Sequence, residues 1–324
     1  MATTRYNSLD ALRLFFAFMV VLIHVPMKGG SLLEPIYRLA VPYFYVLSGY
    51  FLYHEATAVL RDKLWKTSCK WFQMYVKYFV VLGICSVVLH SALNQSVVWS
   101  WSDLKSIFIG NGTTQSLDVV DINGNNYGLY TLWFLLGGGY ALFILYLAKK
   151  YLANSYIYCI ACVLYICSLI GILNGLYIPR WLYLSVPYMA LGLFIHEHLN
   201  MLSVHYKRRI WIVIYILALV EWILYRCESI KMECSFLTPL IIIHLFVLCI
   251  NSRGNSVIVE RCAEWGRRYS LDIYLYHRLW WCCLVLCLGT KFIWVGAPLC
   301  FGSLMLILGM WYHVNKDIKK TINQ

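Results

Sequence analysis

Charge is what this chain has least of. Only 13% of its 324 residues are Asp, Glu, Lys or Arg, and only 15 are acidic. A soluble globular chain carries about a quarter charged residues, so this composition excludes an ordinary water-exposed fold. Internal repeats of 20–50 residues are also missing, which excludes solenoids and propellers. No low-complexity tract or Pro/Gly-rich linker divides the chain, so residues 1–324 read as one domain. Thirteen cysteines are present, but most fall in apolar stretches, where Cys packs as a small hydrophobe rather than as a disulfide framework. Cys159 and Cys162 have CxxC spacing without a nearby His, so no metal site is expected. Cys227 and Cys234 flank a short loop and are the one pair spaced to bridge.

What the chain does have is apolar length. Hydrophobic residues make up 61% and the mean hydropathy is +0.66. A membrane crossing needs about 20 apolar residues, and ten windows qualify: 9–26, 35–54, 72–92, 128–148, 155–173, 181–198, 208–226, 234–250, 271–289 and 291–312. The first is too long for a signal-peptide core and has no small-residue cleavage site after it, so it is expected to remain as a span. The expected fold is an all-α, polytopic membrane bundle of about ten transmembrane helices.

The net charge of +12 follows membrane topology rather than nucleic acid. With the N-terminus in the cytosol, inner loops hold seventeen Lys and Arg and outer segments six. Basic residues favour the cytosolic side, so both termini are expected there. Residues 93–127 then form the one long outer loop, which carries the sequons Asn94-Gln-Ser96 and Asn111-Gly-Thr113.

Two ionisable residues stand inside the first window, Arg13 and His24. Eleven steps at about 100° leave the two side chains about 20° apart on one helix face. At about 1.5 Å per residue they are on the order of 16 Å apart along the axis. Ionisable groups inside a bilayer are costly and face the protein interior or a water-filled path. The pair therefore suggests an anion held at one end and proton chemistry at the other. Asp10, one turn before Arg13, is placed to neutralise or aim its guanidinium. Ser48 and Gly49 allow close helix approach, or offer a hydroxyl to a ligand. The basic, aromatic run from Arg61 to Lys77 reads as a topology signal or as a phosphate-binding mouth. Trp133 opens the fourth window; His277 and Arg278 lie in the ninth; Glu221 and His244 are further polar residues within spans.

These residues resemble acyltransferase family 3, membrane acyltransferases of bacteria. The match comprises Asn7-Ser-Leu-Asp-Ala-Leu-Arg13, ten residues to His24, and then Val41-Pro-Tyr-Phe-Tyr-Val-Leu-Ser48-Gly49-Tyr50. Leu132-Trp133-Phe134-Leu135 and the Tyr-x-x-His ending at His277 extend it. The family's Arg-x-x-Arg and following Pro fall here on Thr67, Lys70 and Gln73, with Lys66 one position away. The resemblance implies transfer of an acyl group, with acetyl the expected one, from cytosolic acyl-CoA to a hydroxyl of an extracytoplasmic carbohydrate. It implies a multi-pass protein of the cytoplasmic membrane, with acetyl-CoA as co-substrate and no permanently bound cofactor. On that reading His24 is the general base, and Arg13, Lys66 and Lys70 hold the donor. Asp10, Ser48, Tyr50, Trp133 and His277 support them. The competing expectation is a secondary transporter or exporter, which a ten-span fold with buried ionisable groups also suits; Gly137-Gly-Gly139 and Pro187 interrupt apolar windows, but without the symmetric counterpart of transporter repeats. The sequence fixes no oligomeric state.

Overall fold

The computed structural model describes residues 6–92, 129–176, 178–204, 208–227, 235–252 and 256–322. The expected long outer loop and Cys234 lie outside them; Cys227 is a free thiol. Every regular element among the described residues is helical. In chain order these are α1 (Asn7–His24), α2 (Glu34–Tyr37), α3 (Ala40–Leu52), α4 (Thr57–Ala92), α5 (Trp133–Tyr151) and α6 (Asn154–Leu173). Then come α7 (Val186–Glu197), α8 (Leu199–Val204), α9 (Arg208–Cys227), α10 (Thr238–Asn251), α11 (Val257–Leu288) and α12 (Gly296–Ile322).

Each of the ten apolar windows contains helix among its described residues. Among the described residues, five helices are long and apolar enough to cross a membrane: α1, α6, α9, α11 and α12. Others are shorter than a crossing needs by themselves; α3 has 13 residues, α7 has 12 and α10 has 14. The helix boundaries follow local chemistry. Ser256 caps α11 by accepting from the Ile258 N–H at 3.2 Å. Gly289 ends that helix at φ 71°, a left-handed conformation that only glycine adopts without strain.

Apolar surface gives little drive between helices in lipid, so close packing and interhelical hydrogen bonds hold the bundle. The principal pairings are α1 with α11, α3 with α7, and α4 with α5. Each is built on small residues. A Cβ on Gly49 would lie 2.1 Å from the Met189 carbonyl oxygen, and one on Gly192 would lie 2.1 Å from that of Val46. The Ser48-Gly49 turn of sequence is thus a crossing point of α3 and α7.

Gly137-Gly-Gly139 does not interrupt its helix. α5 runs unbroken through it, and the glycines admit aromatic rings from α4: Cβ positions on Gly138 and Gly139 would meet Trp71 and Phe72. The Ser68 hydroxyl donates to the Gly139 carbonyl across the same seam at 2.9 Å. Gly138→Ala drives a methyl to 1.8 Å from the Trp71 ring and is expected to destabilise the protein by about 1–3 kcal/mol. A thermal midpoint in detergent equal to wild type would contradict this. The irregularity lies instead before Pro187, where Trp181–Ser185 forms a π-helical turn leading into α7.

Two polar residues within apolar windows hold the outermost helix. The Ile210–Cys227 stretch of α9 has no buried residue. Its Glu221 accepts from the Phe236 and Leu237 N–H groups at 2.7 and 3.3 Å, capping the approach to α10. His244 of α10 stacks on Trp211 at 4.4 Å, and its Nδ1 is 2.9 Å from the Tyr215 hydroxyl. Both are therefore joints between α9 and α10, away from the residues below.

Candidate active site

Helices α1 and α11 meet twice, and each meeting is ionisable. Asp10 of α1 pairs with Arg267 of α11 at 2.9 Å. At the other end of α1, the His24 ring stacks on His277 of α11, centroids 5.2 Å apart and planes 30° apart. Because 10 faces 267 and 24 faces 277, the two helices run parallel. Gly266 sets their separation: a Cβ there would lie 2.1 Å from the Asp10 carbonyl oxygen and 3.2 Å from the Arg13 Cβ. One parallel pair thus carries both sites, separated by the about 16 Å that helix geometry gives.

At the Arg13 end, Asp10 is buried and holds two cations. Its carboxylate is 3.2 Å from Arg13 Nε and 2.9 Å from Arg267 Nη1. The Arg13 guanidinium also lies over the Phe51 ring, 5.4 Å from its centroid. A guanidinium has five N–H donors; Arg267 Nη1 donates one to Asp10, whereas the buried Arg13 Nε stands at ion-pair distance from Asp10 without a hydrogen bond. The two forks, each about a quarter to a third exposed, retain donors suited to a phosphate. Arg267 is not among the residues singled out from sequence, where it counts only as a topology signal. Its partner is 257 positions away.

The other donor-binding candidates lie elsewhere. Lys66 is 72% exposed and pairs with Asp62 of its own helix at 2.7 Å, and Lys70 is exposed. Both sit on α4, which packs chiefly against α5. Arg267 is the cation that shares Asp10 with Arg13.

At the His24 end, His277 is fully buried. Its Nδ1 donates to the Ile273 and Tyr274 carbonyls at 3.1 and 2.8 Å. With only acceptors facing Nδ1, the proton belongs there, and Nε2 carries the lone pair; that nitrogen has no hydrogen-bond partner. Arg278 Nη1 donates to the His24 carbonyl at 3.3 Å. Arg180 and Arg38 also lie close enough to His24 to interact with its charge. Trp133 enters through Arg180, whose guanidinium lies 5.3 Å from the Trp133 ring centroid.

Two supporting candidates fall away from His24. The Ser48 hydroxyl donates to Phe44 O of its own helix at 2.8 Å. Tyr50 is buried against Tyr6, His196 and Phe246, and Tyr6 precedes the opposite end of α1. A backbone-bonded serine of this kind is a local helix contact. Ser48→Ala is accordingly expected to keep activity within about twofold of wild type; a loss beyond tenfold in a thiol-release assay would restore Ser48 to the site.

Among the described residues no group of three His, Cys, Asp or Glu is arranged to hold a metal ion. The chemistry available is that of guanidinium groups and imidazoles on one helix pair of a multi-pass membrane protein. The family model described as an acyltransferase domain, that of acyltransferase family 3, matches residues 6–314, and the chain belongs to that family. It is a membrane acyltransferase by that membership. No curated protein and no solved structure matches it.

Proposed function

We propose that the protein transfers an acyl group, acetyl in the first instance, from cytosolic acyl-CoA to a hydroxyl of an extracytoplasmic carbohydrate. The observation that carries this reading is the α1–α11 pair, with two arginines on Asp10 at one end and two stacked histidines at the other. The excess of Lys and Arg in the loops on the Arg13 side supports a cytosolic location for that end. Arg13 and Arg267 hold CoA phosphates there. The about 16 Å to His24 suits an extended pantetheine arm, which brings the thioester to the acceptor.

His24 then acts as general base. It takes the proton of the acceptor hydroxyl as that oxygen attacks the thioester carbonyl. The C–S bond breaks, and CoA leaves as the thiol after receiving a proton. His277 stands beside it with an accepting nitrogen, and its Nδ1 bonds fix the ring, so it positions and backs the base. Such a base typically contributes about 10²–10⁴-fold. Of Ser48, Tyr50 and His277, only His277 is next to His24.

The test is thiol release from acetyl-CoA supplied to the Arg13 face of proteoliposomes containing a glycan acceptor, with acetyl ester followed on the glycan. CoA release matched by ester formation is expected. Solute uptake with no CoA turnover would replace this reading with transport.

A further inference from the structure

The basic run of α4 stands apart from both ends of the α1–α11 pair. Thr57–Ala92 holds Arg61, Lys63, Lys66, Lys70 and Lys77 against a single acid, Asp62. One side of this helix is taken by α5: Ser68 donates to the Gly139 carbonyl, and the Phe72 ring meets Tyr140 at 5.5 Å. The opposite side is open. At about 100° per residue, Lys66, Lys70 and Lys77 fall there within about 40° of one another, and all three are exposed. Val80, Ile84 and Val88 continue the same stripe and are 52, 60 and 60% exposed.

This face changes character along its length. α4 has 36 residues, about 54 Å by helix rise, whereas the hydrocarbon core of a bilayer is about 30 Å thick. Its first half therefore runs past the core on the Arg13 side, where α3 ends; Tyr50, near that end, meets Tyr6, which precedes α1. From Lys77 to Val88 is about 16 Å, close to half the core and so to one leaflet. An exposed apolar stripe of that length, running out into three lysines, has the outline of one phospholipid. Asp62 pairs with Lys66 at 2.7 Å, and Asp272 of α11 lies close enough to Lys77 to interact with its charge. Lys70 stands between them, and no ion pair among the described residues reaches it. Trp65, 43% exposed, sits beside the lysines as an amphipathic residue of the headgroup level.

We infer that the open face of α4 binds an anionic phospholipid of the leaflet on the Arg13 side. The headgroup phosphate sits at Lys70, with Lys66 about 6 Å and Lys77 about 10 Å away along the axis. One acyl chain lies along Val80, Ile84 and Val88. A lysine ammonium recognises phosphate as a point charge, and its long stem lets Lys77 reach the headgroup layer from within the core. A headgroup with net negative charge is preferred to a zwitterionic one, whose own cation opposes the lysines. This gives the basic run of α4 a ligand of its own, separate from the Arg13–Asp10–Arg267 cluster.

The experiment equilibrates the full chain in detergent with equal amounts of phosphatidylglycerol and phosphatidylcholine of the same acyl chains, and counts the retained lipids by native mass spectrometry. Wild type is expected to retain phosphatidylglycerol in at least about fivefold excess. The triple variant Lys66→Gln, Lys70→Gln, Lys77→Gln is expected to bring the two lipids to within about twofold of parity. The corresponding triple Arg variant is expected to keep the preference, which separates charge recognition from a folding defect. Lys150→Gln with Arg261→Gln removes exposed bases of other helices and is expected to leave the preference intact. Parity in wild type would overturn the inference, and so would an equal loss in the Lys150, Arg261 variant, since net charge alone would then attract the lipid. Two competitors complete the test. Glycerol phosphate, a headgroup without chains, is expected not to displace the lipid; displacement would make the site one for free phosphate. Acetyl-CoA is likewise expected not to displace it, and displacement would return the lysines to the donor. No arm depends on acyl transfer, so the inference stands or falls apart from that reading.

Discussion

His24→Ala is expected to lower acyl transfer by about 10²–10⁴-fold, the contribution of a positioned general base, while leaving the affinity for acyl-CoA within about threefold of wild type, as expected when only transition-state interactions are lost. The reasoning is spatial. His24 ends α1, and the proposed donor site at Asp10 lies fourteen residues back along the same helix, about 21 Å by helix rise. The loss of the imidazole removes the base without touching the guanidinium groups. It also removes the ring stacked on His277, whose Nδ1 bonds to Ile273 and Tyr274 are within its own helix and persist. Fold and donor site are therefore expected to survive. The measurement is single-turnover transfer together with donor binding by calorimetry. Wild-type transfer in the alanine variant would dismiss His24 as base, and loss of donor binding would show that it holds the bundle rather than the chemistry.

Arg267→Ala carries the second large effect, and it separates the structure from the sequence pattern. A hydrogen bond to a charged group contributes about 1.5–3 kcal/mol, and each 1.4 kcal/mol is tenfold in affinity. Arg267 and Arg13 are a third and a quarter exposed, so solvent screening favours the lower part of that range. The expected result is a rise of about tenfold in KM for acyl-CoA in either single variant, with kcat changed less than KM. The double variant is expected to fall short of the product of the two, since both arginines share Asp10 and groups in one network couple. Lys66→Ala and Lys70→Ala are the comparison: both side chains are exposed, and their loss is expected to change KM by less than about threefold, as for surface charges. An unchanged KM in Arg267→Ala with a large rise in Lys70→Ala would move the donor site to α4.

Asp10→Asn tests the same cluster from its centre. Asp10 is 3% exposed and is the acid that lets two guanidiniums stand close together. Its neutralisation leaves like charges facing each other at the closest approach of α1 and α11. Breaking a buried ion pair costs about 3–5 kcal/mol, and partial solvation of the arginines reduces this to about 1–3 kcal/mol. The thermal midpoint is expected to fall accordingly. A midpoint equal to wild type would mean that the pairing contributes nothing to holding the helices together.

Periodicity and composition are local properties, and they determined the membrane class, the helix in each apolar window, and the alignment of Arg13 with His24 on α1. Those follow from a 3.6-residue repeat and the low charge content, which no tertiary contact alters. What the tertiary structure decided is which residues join them. Arg267 and Asp10 are 257 positions apart, and Arg278 and His24 are 254 apart, so their meeting depends on which face of α11 turns to α1. That choice rests on Gly266, where backbones touch, and spacing along one chain carries no record of it. The same reason separates Lys66 and Lys70 from the Arg13–Asp10–Arg267 cluster: their basic run is legible, but α4 is drawn to the glycines of α5. It likewise assigns Glu221 and His244 to holding α9, because in lipid a polar side chain serves as readily to join helices as to bind a ligand, and only its partner tells the two apart.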